Sequence, residues 1–500
     1  MKKNNIIIAG SLLATVPFVG CNNIKEKHQE SPNVIVILAD DMGYGDIKAL
    51  NPQAKTITPN LDKLVNEGVN FTDAHTNSAV CTPTRYGILT GRYCFRSRLK
   101  KGVLSGYDKS LIEPGRATLA HLFEKRDYNT ACIGKWHLGL DWKRNEPSAP
   151  LVEGGGKYNP SNTHNVDYTK SVNGGPADHG FDHEYILPAS LDMPPYLFVK
   201  DQKVEDLPSR TLKHFRDSTC RGVLYRNGDA SPNFSHNKVL QHIVDKSKNY
   251  ISKNVKKDKP FFLYLPLTAP HTPWMPDEKF IGKSGAGLYG DFICMVDDMI
   301  GQINAELVKQ GIDKNTIIIF TSDNGSHWKE EEKNKYHHLA NADKRGMKSD
   351  LYDGGHRVPF IVKWPNHFPK GDNCDEVICT TDIFATCADI LNVPVQKGEA
   401  EDSRSFLSYL LNPNKALSDT PVMHHSVNGE FALRVGKWKF IDCSGSGGWS
   451  ETSPLNKTLK LPVQLYDVKT DVYETTNVAN EYPEVVEKLR NQLEEIKAKK

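Results

Sequence analysis

Asn33-Val34-Ile35-Val36-Ile37-Leu38, running on through Ala39 into Asp40-Asp41, is the stretch that decides the fold. The run is apolar at successive positions, so both faces of the strand it forms are covered, as in the middle of a parallel sheet. It stops at two aspartates and a glycine-rich turn, Gly43-Tyr44-Gly45-Asp46. The same pattern recurs in Thr130-Ala131-Cys132-Ile133-Gly134, Pro260-Phe261-Phe262-Leu263-Tyr264-Leu265-Pro266, Thr316-Ile317-Ile318-Ile319-Phe320 and Phe360-Ile361-Val362-Lys363-Trp364. Helical segments fall between these strands. Thr58-Pro59-Asn60-Leu61-Asp62-Lys63-Leu64 opens one, with Pro59 in its first turn. Apolar residues at helical spacing across positions 291–310 mark another. Strands alternating with helices predict an α/β fold, a mostly parallel sheet sandwiched by helices. Ligands of such sheets sit beyond the carboxyl ends of the strands. Asp40, Lys135, His271 and Asp323 each follow a strand run directly, which points to one shared site.

Two regions depart from this pattern. Residues 140–237 are rich in Gly, Pro, Asn and His and carry few periodic segments, so they are expected to form a loop-rich insertion that shapes substrate binding. Residues 401–500 are expected to form a smaller C-terminal subdomain, an antiparallel sheet plus a helix. Its hairpin is Glu430-Phe431-Ala432-Leu433-Arg434-Val435 with Trp438-Lys439-Phe440-Ile441, turning at Gly436-Lys437. Gln464-Leu465-Tyr466-Asp467 adds a strand, and Val485, Val486, Leu489, Leu493 and Ile496 line an amphipathic helix. Residues 32–400 are then the catalytic domain.

The N-terminus begins Met1-Lys2-Lys3 and continues through an apolar run at residues 6–20, the layout of a signal peptide over residues 1–20. Phe18-Val19-Gly20-Cys21 resembles a bacterial lipobox, with Phe18 an unusual residue for it, and implies lipidation of Cys21 followed by a polar tether over residues 21–31. The expected location is exported and lipid-anchored, in the periplasm or on the outer-membrane surface of a Gram-negative bacterium. A net charge of +2 over 500 residues argues against a nucleic-acid partner. Of the ten cysteines, those other than Cys21 and Cys81 show no zinc-type spacing, and sequence alone does not pair them.

The chemistry is carried by Cys81-Thr82-Pro83-Thr84-Arg85, followed by Thr90-Gly91-Arg92. It is similar to the C-x-P-x-R signature of the formylglycine-dependent (type I) sulfatases of the alkaline phosphatase superfamily. Further segments resemble that family across roughly residues 33 to 365: Asp40-Asp41, Gly134-Lys135-Trp136-His137-Leu138-Gly139, Pro270-His271-Thr272-Pro273, Thr321-Ser322-Asp323-Asn324-Gly325, and Lys348 ahead of Asp353-Gly354-Gly355-His356-Arg357-Val358-Pro359. Asp353 stands where the family commonly has Glu, and a structural role with shorter reach is expected for it. Leu465-Tyr466-Asp467 to Glu474-Thr475-Thr476-Asn477 resembles the family's structural tail.

The resemblance implies that Cys81 is oxidised to formylglycine (3-oxoalanine) by a maturation enzyme. It implies one calcium ion held by Asp40, Asp41, residue 81, Asp323 and Asn324, oxygen donors suited to a hard cation. Arg85, Lys135 and Lys348 would stabilise the sulfate charge, His137 would serve the aldehyde diol, and His271 would hold the ester's bridging oxygen. The substrate implied is a sulfated carbohydrate. Ala189-Ser190-Leu191-Asp192-Met193-Pro194-Pro195-Tyr196 resembles exo-acting carbohydrate sulfatases, including those that remove 6-O-sulfate from galactose or N-acetylgalactosamine. Asp178, His179 and Asp192 are candidate sugar contacts. Two alternatives stand beside this reading: a phosphatase or phosphodiesterase of the same superfamily, and a catalytically silent glycan-binding lipoprotein.

Overall fold

Alternation along the strand at residues 33–40 sorts the interior into two layers. The computed structural model describes Met1 and residues 31–257, 259–417, 420–450 and 462–499. The expected signal peptide, the tether up to residue 30 and lipidated Cys21 lie outside the described residues. The strands are β1 (Asn33–Asp40), β2 (Val69–His75), β3 (Asn129–Lys135), β4 (His183–Leu187), β5 (Val199–Lys200), β6 (Lys203–Val204), β7 (Arg210–Leu212), β8 (Phe215–Arg216) and β9 (Leu224–Tyr225). They continue as β10 (Gly228–Ala230), β11 (Phe261–Pro270), β12 (Thr316–Ser322), β13 (Phe360–Lys363), β14 (Asp372–Cys379), β15 (Val422–His425), β16 (Phe431–Val435), β17 (Trp438–Ile441) and β18 (Gln464–Asp467).

Ten of them form the central sheet, in the order β14-β2-β13-β12-β1-β11-β3-β4-β5-β6. The four consecutive strands β12, β1, β11 and β3 run parallel. Val34, Val36 and Leu38 face a layer containing the helices Cys81–Thr90, Leu119–Glu124 and Ile383–Ile390. Ile35, Ile37 and Ala39 face the opposite layer, with helices Pro59–Glu67, His236–Asn254 and Gly287–Lys309. This is the expected sandwich. Among the described residues, no helix is long and apolar enough to cross a membrane.

Two departures have a physical reason. Strand β2 was not legible because Asn70, Asp73 and His75 interrupt its apolar pattern; all three are buried in a polar network instead of facing water. The insertion is also more ordered than its composition predicts. It supplies β4, β5 and β6, which extend the sheet beyond β3, and two ribbons that pair β7 with β10 and β8 with β9.

The C-terminal sheet is an antiparallel meander, β15-β16-β17-β18, covered by the helix Pro483–Ala498. The helix Leu407–Leu411 still packs in the first layer, so the second sheet starts only at β15. Asp353 ties the two sheets together: its Oδ1 accepts from Lys439 Nζ at 2.6 Å and its backbone N–H donates to Glu474 Oε2 at 2.7 Å. Asn477 completes the tail by accepting from the Leu465 N–H at 3.0 Å. The structural roles expected of Asp353 and of the tail segment match these contacts.

Candidate active site

Four parallel strands end beside one another, and their last residues converge. Asp40 ends β1 and Lys135 ends β3, while His271 and Asp323 follow β11 and β12 directly. Cys81 is the first residue of the helix Cys81–Thr90, so the positive end of that helix faces the same place. Arg85 lies four residues on, on the same helix face as Cys81. The backbone is strained where it turns into the site. Asp41 has φ +66°, His137 +58° and Ser349, next to Lys348, +87°. The two glycines of Gly134-Lys135-Trp136-His137-Leu138-Gly139 are required by close approach. A Cβ at Gly134 would lie 1.9 Å from the Pro266 carbonyl oxygen, and one at Gly139 would lie 2.0 Å from that of Lys109.

The floor of the site holds three carboxylates, each matched by a cation. Lys135 Nζ donates to Asp40 at 2.7 and 2.9 Å. Lys348 Nζ lies 2.8 Å from the Asp41 carboxylate. Arg85 donates to Asp323 Oδ2 through Nε at 3.0 Å and Nη2 at 2.6 Å, and its Nη1 donates to the Lys135 carbonyl at 3.0 Å. Asp41 also receives the Asn324 side-chain amide at 2.7 Å. Burial would push Asp40 up, but Lys135, His271 and Arg85 outweigh it and hold its carboxyl well below the usual range. Asp323 is raised by burial and by repulsion from Asp40, with Arg85 opposing. Lys348 stays firmly charged: burial works against it, and Asp41 and Asp40 outweigh burial.

The two histidines are tuned differently. His137 Nε2 is 2.8 Å from the Leu104 carbonyl. A carbonyl only accepts, so Nε2 carries the proton and Nδ1 is left as an acceptor, 3.4 Å from Ser190 Oγ. Burial and nearby Lys135 hold this ring neutral. His271 donates from Nδ1 to the Thr272 carbonyl at 2.6 Å, which leaves Nε2 bare, 3.7 Å from Asp41 Oδ2. Its pKa is lowered by burial and by Lys348. Burial raises the Cys81 thiol pKa despite Lys135 and Lys348, so the unmodified thiol is no activated nucleophile.

The donor set fits a metal ion. Asp40, Asp41, Asp323 and Asn324 offer hard oxygens, and Asn324 Oδ1 is buried with no hydrogen-bond partner among the described residues. Donor atoms of Asp40, Asp41 and His271 lie within 4.8 Å of one another. His75, Asp353 and His424 make a second such group, but there Lys439 already faces Asp353 and Glu474, at 2.6 and 2.7 Å.

Above the floor opens a pocket of ≈ 360 Å³, a size that accommodates a small ligand. Of the catalytic candidates, Cys81, His271 and Lys348 line it, with Asp41 beside them. Arg85, Lys135 and His137 lie beneath, with no exposure at all. Of the three expected sugar contacts only Asp192 lines the pocket, ion-paired with Arg226. Asp178 and His179 do not line it. Asp178 accepts from the Gly174 N–H and the Gln202 amide, and His179 stacks on Trp136. Their polarity serves loop packing, a correction to the sequence reading. That reading missed Arg216, Arg221, Arg226, His327, Lys329 and Trp449, which complete the wall. The one available signal was the density of basic residues within positions 210–226.

Comparison with known proteins agrees with this geometry. The sulfatase family profile matches residues 32–393, and the chain belongs to the sulfatase family. The reaction class is thereby hydrolysis of a sulfuric ester. Sulfatases normally bind a metal ion, and the oxygen donors above fit one. The chain is 31% identical over 519 residues to an N-acetylgalactosamine-6-O-sulfatase of Bacteroides thetaiotaomicron, covering 96% of each chain. It is 30% identical to the steryl-sulfatase of Homo sapiens, over 81% of this chain and 73% of that one. A solved Bacteroides thetaiotaomicron sulfatase, from work on the metabolism of multiple glycosaminoglycans, superposes with TM-score 0.79 at 29% identity, covering 94% of this chain and 100% of that one.

Proposed function

We propose that this protein hydrolyses sulfate esters on a carbohydrate, acting from the chain end, with 6-O-sulfated galactose or N-acetylgalactosamine as the preferred class. The observation that carries the reading is the placement of Cys81. It sits at a helix N-terminus and lines the same pocket as His271 and Lys348, in a chain similar over 96% of its length to an N-acetylgalactosamine-6-O-sulfatase.

In this reading a maturation enzyme oxidises Cys81 to formylglycine, and the aldehyde is hydrated to a geminal diol. One hydroxyl, its proton passing to Asp323, attacks sulfur. The bond from sulfur to the sugar oxygen breaks, and the bare Nε2 of His271 takes a proton from the Lys348 ammonium and passes it to the departing alcohol, leaving Lys348 neutral until it is reprotonated. The sulfate is now bonded to residue 81. His137, whose Nδ1 is free to accept, takes the proton of the second hydroxyl. The C–O bond to sulfate then cleaves, and the aldehyde re-forms. Lys135, Lys348 and the helix N-terminus stabilise the charge that grows on oxygen. Arg85 acts from below by holding Asp323 and the Lys135 carbonyl. Asp40, Asp41, Asp323 and Asn324, with residue 81, would hold one calcium ion, which supplies further electrostatic stabilisation when bound. The protein would be exported and anchored through lipid on Cys21, in the periplasm or on the outer-membrane surface.

Peptide mass spectrometry across residue 81, on protein made with its maturation enzyme, tests the nucleophile. A mass loss matching formylglycine, with turnover of 6-O-sulfated N-acetylgalactosamine, is expected. An unmodified cysteine in fully matured protein sinks the mechanism, and release of sulfate from aryl esters but from no sugar sinks the substrate class.

A further inference from the structure

We infer that the mouth of the pocket is a second anion-binding subsite, in which Arg216 and Lys329 receive a negatively charged group of the substrate other than the sulfate being cleaved. The inference rests on the carbohydrate reading above and goes beyond it by naming a further charge on the substrate.

The argument is one of charge matching. Five cations line the pocket: Arg216, Arg221, Arg226, Lys329 and Lys348. Three are matched by the protein itself. Lys348 faces Asp41 at 2.8 Å, Arg226 pairs with Asp192, and Arg221 grips Glu332 with Nε at 2.8 Å and Nη2 at 3.1 Å. Arg216 and Lys329 form no ion pair among the described residues. The acid next to Arg216 does not neutralise it: Asp217 Oδ1 accepts from Thr219 N, Thr219 Oγ1 and Cys220 N, closing its own turn. Of the acids that follow Lys329, Glu330 pairs with Lys333 and Glu332 with Arg221, while Glu331 is exposed and pairs neither with Lys329 nor with another cation among the described residues.

Single unpaired cations on a surface are ordinary. These two come from unrelated elements, the β8–β9 ribbon and the start of the helix Glu330–Tyr336, and they converge on the pocket that holds Cys81. One sulfate ester carries one negative charge, and the ester to be cleaved is received at the floor, beside Cys81 and His271 and away from Arg216 and Lys329. A substrate with no other charge leaves the mouth unmatched. Trp449 stands in the same wall, 49% exposed: its backbone N–H donates to Ser349 Oγ and Asp350 Oδ1 at 2.9 Å, and its indole ring lies 4.9 Å from the ring of His327. A solvent-facing indole packed against His327 suits the apolar face of a sugar ring. The ligand is therefore a sugar bearing a second anion, a sulfate ester on the same ring or a carboxylate on the neighbouring unit.

The test compares three soluble probes: N-acetylgalactosamine 6-sulfate, its 4,6-disulfate, and a uronate-linked N-acetylgalactosamine 6-sulfate disaccharide. The wild type is expected to favour one of the dianionic probes in kcat/KM, mainly through KM, by about fivefold for each cation. The Arg216→Ala/Lys329→Ala double variant should bring the dianionic-to-monoanionic ratio close to one, and Arg216→Lys should restore part of it. The probe that shows the preference identifies the source of the anion. Equal handling of all three probes by the wild type, or a parallel loss on all three in the double variant, overturns the subsite. If no probe is hydrolysed, the carbohydrate reading fails separately. Calorimetric Kd values on Cys81→Ala then decide the subsite: tighter binding of a dianionic probe, lost with Arg216 and Lys329, sustains it, and equal values end it.

Discussion

The floor and the mouth of the pocket are built in opposite ways. Floor residues sit at the ends of parallel strands and at one helix start, are almost wholly buried, and are paired charge for charge: Lys135 with Asp40, Lys348 with Asp41, Arg85 with Asp323. Mouth residues come from the insertion, from the loop after β12 and from the C-terminal region, are partly exposed, and include two unmatched cations. The floor performs a charge-demanding reaction and tolerates little change, because a buried charge that loses its partner is costly. The mouth meets the part of the substrate that does not react, so it can differ between relatives while the chemistry stays the same.

The comparison can be broken first at His271. If the floor supplies the leaving-group proton, His271→Ala lowers kcat on a sugar sulfate by about 10²–10⁴-fold. The loss should be much smaller on an aryl sulfate, whose alcohol departs without help. Equal losses on both esters would remove His271 from that role.

A second experiment probes the junction that carries the C-terminal wall. His356 and His424 stack at 4.1 Å, and neither ring nitrogen of His424 has a hydrogen-bond partner among the described residues. Burial first, then Lys439, holds both below the ordinary histidine value, His356 adds to the lowering of His424, and burial does the same to His75. With folded pKa values depressed, the unfolded chain binds protons that the folded chain refuses. Their stabilising contribution is therefore complete above about pH 6.5 and falls as pH drops through lower values. His424→Phe should flatten the stability–pH slope between about pH 6.5 and 5 by up to about 1.4 kcal/mol per unit. Urea titrations at several pH values measure it, and an unchanged slope would contradict the burial argument.

The smallest expected effect lies at the mouth. Trp449→Ala should raise KM for a sugar substrate roughly fivefold, about 1 kcal/mol of lost stacking, with kcat little altered. A fall in kcat with constant KM would place the indole in the chemistry and erase the contrast between floor and mouth.

How much could be read in advance follows the same division. The strands β1, β11, β12 and β13, the helix over 287–309 from position 291 onward and three strands of the terminal meander, β16, β17 and β18, announced themselves because their apolar periodicity is local, while β15 did not. Strand β2 did not, because Asn70, Asp73 and His75 read as exposed until their partners on other segments are seen. Asp178 and His179 read as ligand groups because carboxylate and imidazole are versatile; only the chain's path turns them into loop fasteners.

By itself the sequence determined the layered α/β fold and the floor of the site. Strand-end position and short motifs encode both, and each depends on residues a few places apart. Only the tertiary structure decided the wall of the pocket. Tyr158, Arg216, Arg226, Lys329 and Trp449 lie far apart along the chain and meet because the sheet and its insertion bring them together. Whether a cation is matched or left free is a property of that meeting, which no local stretch of sequence contains.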